Sequence, residues 1–367
     1  MKKTLLFSSA LLCLAFTACD KDNSSIENED QVIPGAPTAS QGVYVLTEGN
    51  FYTGVEGGLD VINFSTNTVN QSVFKTTNGR TLGDTPQCGV AYGSKIYLGT
   101  SVSNTIEIID RLTWKSIKQI KVSEVTEGGQ PYSMIAHNGK VYMSLYGGNL
   151  ARLDTLTLSI DKVTPVGNNP DQIALYKNKI YVPISDGMNY PDVGKTAVVV
   201  DPQTMEVEHT FNTELNPSQF LVAGGHLFLL CKGLYGSIPS ALYEVNDNYT
   251  LTETAKATLV AEYGDKVAIV NQPFVEAGEE PITEYKLYNV NSKQLTDWNI
   301  ERPDYANSIY YDKEADCLLI ASYIMSGQYP SYVLPGYINR YDKNGEHVVA
   351  KYELGSAGRA SIFSLQK

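Results

Sequence analysis

Four segments of the chain share one pattern and recur at intervals of about 45 residues. Each has a proline, a short apolar run, a tight polar turn and a second apolar run that carries an aliphatic and an aromatic residue. The segments are TPQCGVAYGSKIYLGT from Thr85, QPYSMIAHNGKVYMSL from Gln130, NPDQIALYKNKIYVPI from Asn169 and NPSQFLVAGGHLFLLC from Asn216. A fifth copy begins at Pro303, and a weaker unit starts at Ala261. Self-similarity at this period is typical of repeat architectures.

The second half of each unit also repeats, as an apolar run, a turn centred on Asp or Asn, and another run. Asp110, Asp154, Asp201 and Asp342 occupy such turns. Because an Asp side chain folds back on its own backbone in turns, we interpret these four as turn formers and not as metal or catalytic groups. Four short strands per unit, with apolar residues at period two, predict a β-propeller blade and exclude a helical solenoid.

The two ends of the repeat region complement each other. The first unit, from Gly42, lacks the first strand of the repeat and begins with the second. The C-terminal run GRASIFSLQK, from Gly358, has the pattern of a first strand, and no second strand follows it. We therefore predict an all-β fold, a seven-bladed β-propeller over residues 42–367. Its four-stranded antiparallel blades are closed by pairing of the C-terminal strand with the first segment, which removes an exposed sheet edge.

The N-terminal residues have the pattern of an export signal. Residues 1–18 contain two lysines and an apolar run too short to span a bilayer, which predicts a secretory signal peptide. The run Phe16-Thr17-Ala18-Cys19 looks like a bacterial lipobox and predicts lipidation of Cys19, with an ordinary cleavage site as the alternative. Residues 19–41 are acidic, rich in Asn, Ser and Pro and poor in large apolar residues, so we expect a disordered tether.

Charge and cysteine content restrict the function further. The chain has 28 Lys and Arg against 40 Asp and Glu, a net charge of −12. An acidic chain is a poor partner for nucleic acid, and it has no electrostatic attraction for anionic lipid, so we expect membrane contact through the lipid anchor only. Cys88, Cys231 and Cys317 lie in apolar, strand-like runs, which favours buried free thiols over a disulfide framework.

The long or unusual loops fall on one face of the predicted propeller, where the second strand of each blade connects to the third and each blade connects to the next. Two examples are TEGNFYTGVEGG from Thr47 and SDGMNYPDVGK from Ser185. Long loops on a rigid scaffold commonly carry function, and Tyr offers broad contact area with a hydroxyl. We therefore predict a ligand-binding face, although any single loop aromatic could instead pack its own loop.

The residue after each repeat proline is expected near the mouth of the central channel. These positions are Gln87, Tyr132, Asp171, Ser218 and Asp304, with Arg359 in the closing strand. Because Arg359 is the only cation of this ring, we expect an uncharged polar ligand rather than a phosphate or carboxylate. The predicted ligand-binding residues are Phe51, Tyr52, Gln87, Tyr132, Tyr146, Asp171, Tyr190, Tyr235, Tyr305 and Arg359.

No motif of known catalytic chemistry is found in the sequence. The four histidines lack metal-ligand spacing, and there is no nucleophile elbow or phosphate-binding loop. An acid/base pair could be drawn from the loop carboxylates Glu48, Glu56, Asp186, Asp192, Glu279 and Glu280. Because solvated loop charge explains these carboxylates more simply, we predict a protein without catalytic residues, metal or cofactor.

The lipobox, the acidic tether, TEGNF in the first blade and NGRTLGDTPQ before the second resemble the YncE-type seven-bladed propeller lipoproteins of gut Bacteroidetes. The resemblance covers the chain from Gly42 and implies a location on the outer membrane, facing the exterior. It extends to BtuG-type proteins, which implies capture of cobalamin or another corrinoid and transfer to a TonB-dependent outer-membrane transporter. A glycan would suit the same face, and an enzyme acting on polysaccharide is a third hypothesis.

Overall fold

The computed structural model describes residues 41–273, 275 and 282–365. Within them the chain forms seven four-stranded antiparallel sheets arranged in a ring, which confirms the predicted seven-bladed propeller. Blades are numbered from 1 to 7, and the strands of each blade are called a to d from the central channel outward. The predicted signal peptide, Cys19, nearly all of the tether, Glu279 and Glu280 lie outside the described residues.

The strands follow the repeat. Blade 1 contains β1 (Gly42–Thr47), β2 (Gly58–Asn63) and β3 (Thr68–Asn70) together with β30 (Ala360–Ser364). Blade 2 contains β4 (Pro86–Tyr92), β5 (Lys95–Thr100), β6 (Thr105–Asp110) and β7 (Ser116–Lys121). Blade 3 contains β8 (Pro131–His137), β9 (Lys140–Leu145), β10 (Asn149–Asp154) and β11 (Ser159–Pro165). Blade 4 contains β12 (Ala174–Tyr176), β13 (Lys179–Ile184), β14 (Thr196–Val200) and β15 (Val207–Asn212).

The last three blades have the same order. Blade 5 contains β16 (Pro217–Ala223), β17 (His226–Cys231), β18 (Ala241–Val245) and β19 (Leu251–Lys256). Blade 6 contains β20 (Leu259–Tyr263), β21 (Lys266–Asn271), β22 (Glu284–Asn289) and β23 (Gln294–Asp297). Blade 7 contains β24 (Tyr305–Asp312), β25 (Cys317–Tyr323), β28 (Tyr337–Tyr341) and β29 (Val348–Glu353), and β26 (Met325–Ser326) pairs with β27 (Tyr329–Pro330) in its loop.

The ring closes as the sequence predicts. Strand β30 is the innermost strand of blade 1 and pairs antiparallel with β1, with Val45 opposite Ile362 and Thr47 opposite Ala360. The last strand of the chain therefore completes the first blade, and β30 leaves no unpaired final strand.

The core is distributed between the blades. Seven buried apolar clusters are found among the described residues, and each lies between two neighbouring blades. The b strands, such as β5 and β9, are buried on both faces, whereas the outer strands β7 and β15 are mostly exposed. Burial of apolar area between blades is the main force that holds the ring together. Cys88, Cys231 and Cys317 are buried free thiols, as expected.

The two faces of the propeller differ. The turn face carries the a-to-b and c-to-d turns, and the loop face carries the b-to-c loops and the connections between blades. The b-to-c loops are short in blades 2 and 3 and longer in blades 1, 4, 5, 6 and 7. Two elements of the loop face were not predicted, the β26–β27 hairpin and the helix α1 (Val73–Asn78), which lies between blades 1 and 2.

Candidate functional site

The innermost strands of blades 2, 3, 5 and 7 carry a β-bulge where they leave the loop face. The unpaired residue is Gln87, Tyr132, Ser218 or Asn307, respectively. Asp171 has the corresponding place in blade 4, directly after the bridge that Pro170 forms with Ile184. A bulge redirects one side chain of a strand, and two of these residues, Gln87 and Tyr132, line the central channel.

The predicted register is wrong in blade 7. Asp304 is exposed, and its N–H donates to the hydroxyl of Tyr337 at 2.8 Å. The bulged residue is Asn307, which is buried and accepts a hydrogen bond from the N–H of Ala360 at 3.3 Å. The proline of this blade, Pro303, lies before the strand begins, whereas the proline of blade 2, 3 or 5 is the first strand residue.

Arg359 lies where the closing strand meets the first blade. The preceding Gly358 has φ of 91°, and a Cβ there would lie 2.5 Å from the carbonyl oxygen of Gly49, so glycine is required. The carbonyl of Arg359 accepts a hydrogen bond from the N–H of Glu48 at 3.1 Å. This close packing brings the first b-to-c loop, with Glu48, next to Arg359 at the channel mouth.

The channel below the mouth contains a cavity of about 280 Å³. Its lining comes from inner strands and includes the side chains of Gln87, Tyr132, Gln172, Gln219 and Arg359. Gln87 Nε2 donates to Glu48 Oε1 at 3.0 Å. The mouth is therefore polar, and it combines hydrogen-bond donors with acceptors.

Two negatively and two positively charged side chains interact near the mouth: Glu48 and Asp171, and Lys232 and Arg359. Asp171 is 2% exposed, and its Oδ2 accepts from Lys232 Nζ at 3.3 Å. Burial raises the pKa of Asp171 and that of Glu48, while the charges of Lys232 and Arg359 act in the opposite direction. Burial opposes ionisation of Arg359, but the negative charges of Glu48 and Asp171 act in the opposite direction, and the pKa of the guanidinium is raised.

Tyr132 and Tyr146 form a stacked pair beside these charges. Their ring centroids are 4.6 Å apart with an interplanar angle of 22°. The charge of Asp171, together with burial, raises the pKa of Tyr132, and burial raises that of Tyr146. Both hydroxyls therefore remain hydrogen-bond donors near neutral pH, next to a planar aromatic surface.

Phe51 and Tyr52 lie in a 3-10 turn (Phe51–Thr53) of the b-to-c loop of blade 1. Their side chains are exposed, Tyr52 almost completely, and the rings meet edge to face at 5.7 Å. The turn is capped by Asn50, whose side-chain oxygen accepts from the N–H of Thr53. Asn50 Nδ2 also donates to the carbonyl of Tyr332 in blade 7, so the two neighbouring loops are joined.

Further aromatic rings lie on the loop face of blades 4, 5 and 7. Tyr190 and Tyr235 are exposed, and the Tyr190 hydroxyl donates to the carbonyl of Tyr235 at 3.4 Å. Tyr305 lies 6.3 Å from Tyr323, which contacts Tyr332 edge to face at 5.0 Å. The aromatic rim is defined by Phe51, Tyr52, Tyr190, Tyr235, Tyr305, Tyr323 and Tyr332.

The structure thus separates the predicted site residues into two groups. Gln87, Tyr132 and Arg359 line the channel cavity. Tyr146 stacks on Tyr132, and the buried Asp171 pairs with Lys232. The other predicted residues belong to the aromatic rim. Both groups lie on the loop face.

Two charged residues of the mouth were missed or not assigned to it by sequence reasoning. Lys232 was not selected, and Glu48 was considered only as a loop carboxylate. A repeat signal marks both positions, because each is the first residue after a b strand and its N–H donates to the backbone leading into strand a. Tyr146 has the same position in blade 3, where its N–H donates to the carbonyl of Gln130 at 2.8 Å.

The described part of the chain contains no group of three or more His, Cys, Asp or Glu side chains arranged to hold a metal ion. None of its helices has the length and apolar character needed to cross a bilayer.

Fold and site together define a seven-bladed β-propeller with a polar channel mouth beneath an aromatic rim. Residues 41–304 match the family described as Domain of unknown function (DUF5074), and the chain belongs to that family. The matched region ends just before β24, whereas the propeller continues to β30. No curated protein shows significant similarity to the sequence.

Solved structures resemble the fold at low sequence identity. A functionally unknown protein from Desulfotomaculum acetoxidans is 13% identical with a TM-score of 0.58, and the alignment covers 88% of this chain and 99% of that one. Hydrazine synthase from Kuenenia stuttgartiensis is 14% identical with a TM-score of 0.55, and the alignment covers 75% and 86% of the two chains. At such identities the likeness shows the fold alone.

Proposed function

We propose that this protein is a non-enzymatic binding protein that captures a small polar ligand on its loop face, with a corrinoid as the preferred ligand. One observation carries the proposal, the convergence of polar residues from five blades, Gln87, Tyr132, Gln172, Gln219 and Arg359, on one channel cavity on the side of the aromatic rim. Rigid scaffolds that present a few convergent polar groups among aromatic rings are typical of ligand sites.

The chemistry of the mouth favours a neutral, polar ligand. Arg359 and Lys232 are balanced by Glu48 and Asp171, so the site has little net charge. A corrinoid carries an amide fringe with both donors and acceptors, which complements such a mixed set, and its large flat body suits the aromatic rim.

Cellular placement is part of the same proposal and depends on the sequence and on its resemblance to YncE-type and BtuG-type lipoproteins. We infer that Cys19 is lipidated and holds the propeller on the outer membrane, facing the exterior. The described chain enters at Gln41, at the start of strand β1 and on the turn face. An anchor attached there leaves the loop face free to receive a ligand and to deliver it to a TonB-dependent transporter.

A glycan is the second candidate ligand, and the exposed rings favour it. Tyr52 is 95% exposed and Tyr190 57%, so both rings offer surface to solvent on the loop face. Aromatic rings with a hydroxyl can stack on sugar faces and hydrogen-bond their edges.

Calorimetric titration with cyanocobalamin tests the proposal. Saturable heat at micromolar concentration, with one ligand per chain, is the expected result. Absence of binding would overturn the corrinoid proposal, and retardation of the protein by a polysaccharide in a native gel would then favour the glycan. Turnover of a polysaccharide would contradict the non-enzymatic reading altogether.

A further inference from the structure

A second cavity, of about 360 Å³, lies on the loop face beside helix α1. Its walls come from the b-to-c loops of blades 1 and 7, from helix α1 and from the connection between blades 7 and 1. The lining includes Val55, Glu56, Ser72, Lys75, Val333 and Pro335. Among the described residues it has no lining residue in common with the channel cavity. Its volume is within the range of ordinary ligand pockets, roughly 300 to 1,000 Å³.

Hydrogen bonds hold the walls of this cavity together. The buried carboxylate of Asp60 accepts from the N–H of Ser72 at 2.7 Å and, through its other oxygen, from the N–H of Gly355 at 2.6 Å. The hydroxyl of Ser356 donates to the carbonyl of Glu56. These bonds join the start of helix α1, the connection between blades 7 and 1 and the first b-to-c loop. The cavity is therefore formed before any ligand arrives, which lowers the cost of binding.

An ion pair belongs to the lining. Lys75 Nζ lies 2.6 Å from Glu56 Oε2, and the two side chains are 59% and 53% exposed. An ion pair this exposed contributes little to stability, because water solvates both groups when they part. A ligand can therefore replace either partner at small cost.

The paired charges restrict the kind of ligand. An anion alone would bind Lys75 but face the carboxylate of Glu56, and a cation alone would meet the reverse problem. A ligand that carries both charges close together satisfies both side chains with charge-assisted hydrogen bonds. The exposed aliphatic side chains of Val333 and Pro335 line the same cavity and suit an apolar group on that ligand.

We propose that this cavity binds a free α-amino acid with an aliphatic side chain. Its carboxylate accepts from Lys75 Nζ, its ammonium donates to the carboxylate of Glu56, and its side chain contacts Val333. In an α-amino acid one carbon separates the two charged groups, which matches two protein charges that lie side by side. Ser72 adds a hydroxyl to the lining, and its side chain is not used to cap helix α1. The site is independent of the corrinoid site proposed above.

The test compares L-leucine with analogues that each lack one of the three recognised groups. L-leucinamide lacks the carboxylate, N-acetyl-L-leucine lacks the ammonium, and glycine lacks the side chain. Each compound is titrated into wild-type protein, Lys75→Gln and Glu56→Gln, and binding is followed by saturation-transfer NMR.

Lys177→Gln is the matched control, because Lys177 is 61% exposed and forms an ion pair with Asp247 on the turn face. Thermal unfolding verifies that each variant is folded. Calorimetric titration of the same variants with cyanocobalamin tests the proposed function separately.

L-leucine should saturate wild-type protein at about millimolar concentration, and each analogue should bind about tenfold more weakly. Lys75→Gln should weaken binding of L-leucine and reduce its advantage over L-leucinamide. Glu56→Gln should reduce the advantage over N-acetyl-L-leucine, and Lys177→Gln should change neither. A purely structural role of the ion pair would not alter these preferences.

Three results would overturn the inference. Wild-type protein that gives no saturable signal with L-leucine has no such site. Equal binding of L-leucine and both single-charge analogues would show that the paired charges do not recognise the ligand, and equal binding of glycine would exclude the aliphatic contact. Preferences that persist in both variants would place the amino acid elsewhere on the protein. Each of these outcomes leaves the proposed function intact, since cyanocobalamin binding is measured independently.

Discussion

The residue before each bulge proline has a left-handed backbone. Thr85, Gln130, Asn169 and Asn216 have φ between 49° and 67°, and their carbonyls accept the N–H of the first residue after the neighbouring b strand. Asn tolerates this conformation better than a β-branched residue does. Blade 2 therefore carries backbone strain that blades 4 and 5 reduce by using Asn.

Thr85→Asn should stabilise the protein by about 0.5 to 1 kcal/mol, because it relieves this strain without removing a hydrogen bond of the Thr85 side chain. Asn216→Thr is the reverse change at the same position of blade 5 and should destabilise by a similar amount. Urea unfolding of both variants measures the effect. If both variants change the free energy of unfolding in the same direction by equal amounts, backbone strain at this position is not the cause.

The c-to-d turns are built on Asp side chains, as the sequence predicts. Asp154 Oδ1 accepts from the N–H groups of Leu156 and Thr157, each at 2.8 Å. The hydrogen bond from Lys140, with these N–H donors, lowers the pKa of Asp154 to about 2. The same arrangement recurs at Asp201, where Lys179 is the partner.

Asp154→Ala should lower the free energy of unfolding by about 1 to 2 kcal/mol at neutral pH, since it removes two backbone hydrogen bonds and a partly buried pair. Because the folded pKa is depressed, this stabilisation is present above about pH 4 and is lost as the pH falls through about 2. The measurement is denaturant unfolding of both proteins at several pH values. Asp247→Ala, which breaks an exposed pair with Lys177, is the control and should have little effect.

At the scale of elements, β30 is the strand on which closure depends. Ile362 belongs to the cluster between blades 7 and 1, and Phe363 to the cluster between blades 1 and 2. Phe363 stacks on Tyr44 at 5.4 Å, and a Cβ at Gly89 would lie 2.7 Å from its ring. One short strand thus packs against both neighbouring blades, and glycine in blade 2 makes room for it.

Phe363→Ala should destabilise the protein by about 3 to 4 kcal/mol, the usual cost of a cavity left by a buried aromatic ring. Chemical denaturation followed by circular dichroism gives the value. Ser361→Ala, which removes only a small, half-buried side chain from the same strand, is the matched control and should be nearly neutral. A comparable loss for both variants would show that packing of Phe363 is not what seals the ring.

The elements that follow the repeat were predictable from the sequence, and those outside it were not. Period and turn chemistry predict the blades, the closing strand and the loop face. Helix α1 is too short for a periodic apolar pattern to show, and the β26–β27 hairpin has only two residues per strand. Asn307 was missed because a bulge depends on strand pairing, which the position of Pro303 does not reveal.

At the scale of the whole molecule, the loops of the loop face differ in length, and the first and last described residues lie on the opposite face. The b-to-c loops of blades 4, 5, 6, 7 and 1 are long, while those of blades 2 and 3 are short, and Tyr132 and Tyr146 lie in blade 3. Gln41 and Leu365 both lie on the turn face, at the start of β1 and just after the end of β30. An attachment at Gln41, as proposed, would therefore leave the loop face accessible.

A bulky label distinguishes the two faces. In a chain with Cys13 and Cys19 changed to Ser, Tyr52→Cys places a thiol on the rim, and Leu156→Cys places one in a c-to-d turn on the turn face. The native Cys88, Cys231 and Cys317 are buried, and burial raises the pKa of each thiol, so they should not react.

Coupling a polyethylene glycol maleimide at position 52 should weaken cyanocobalamin binding by about tenfold or more through steric exclusion. The same label at position 156 should leave calorimetric affinity unchanged. Equal loss at both positions, or loss at 156 alone, would place the ligand away from the loop face.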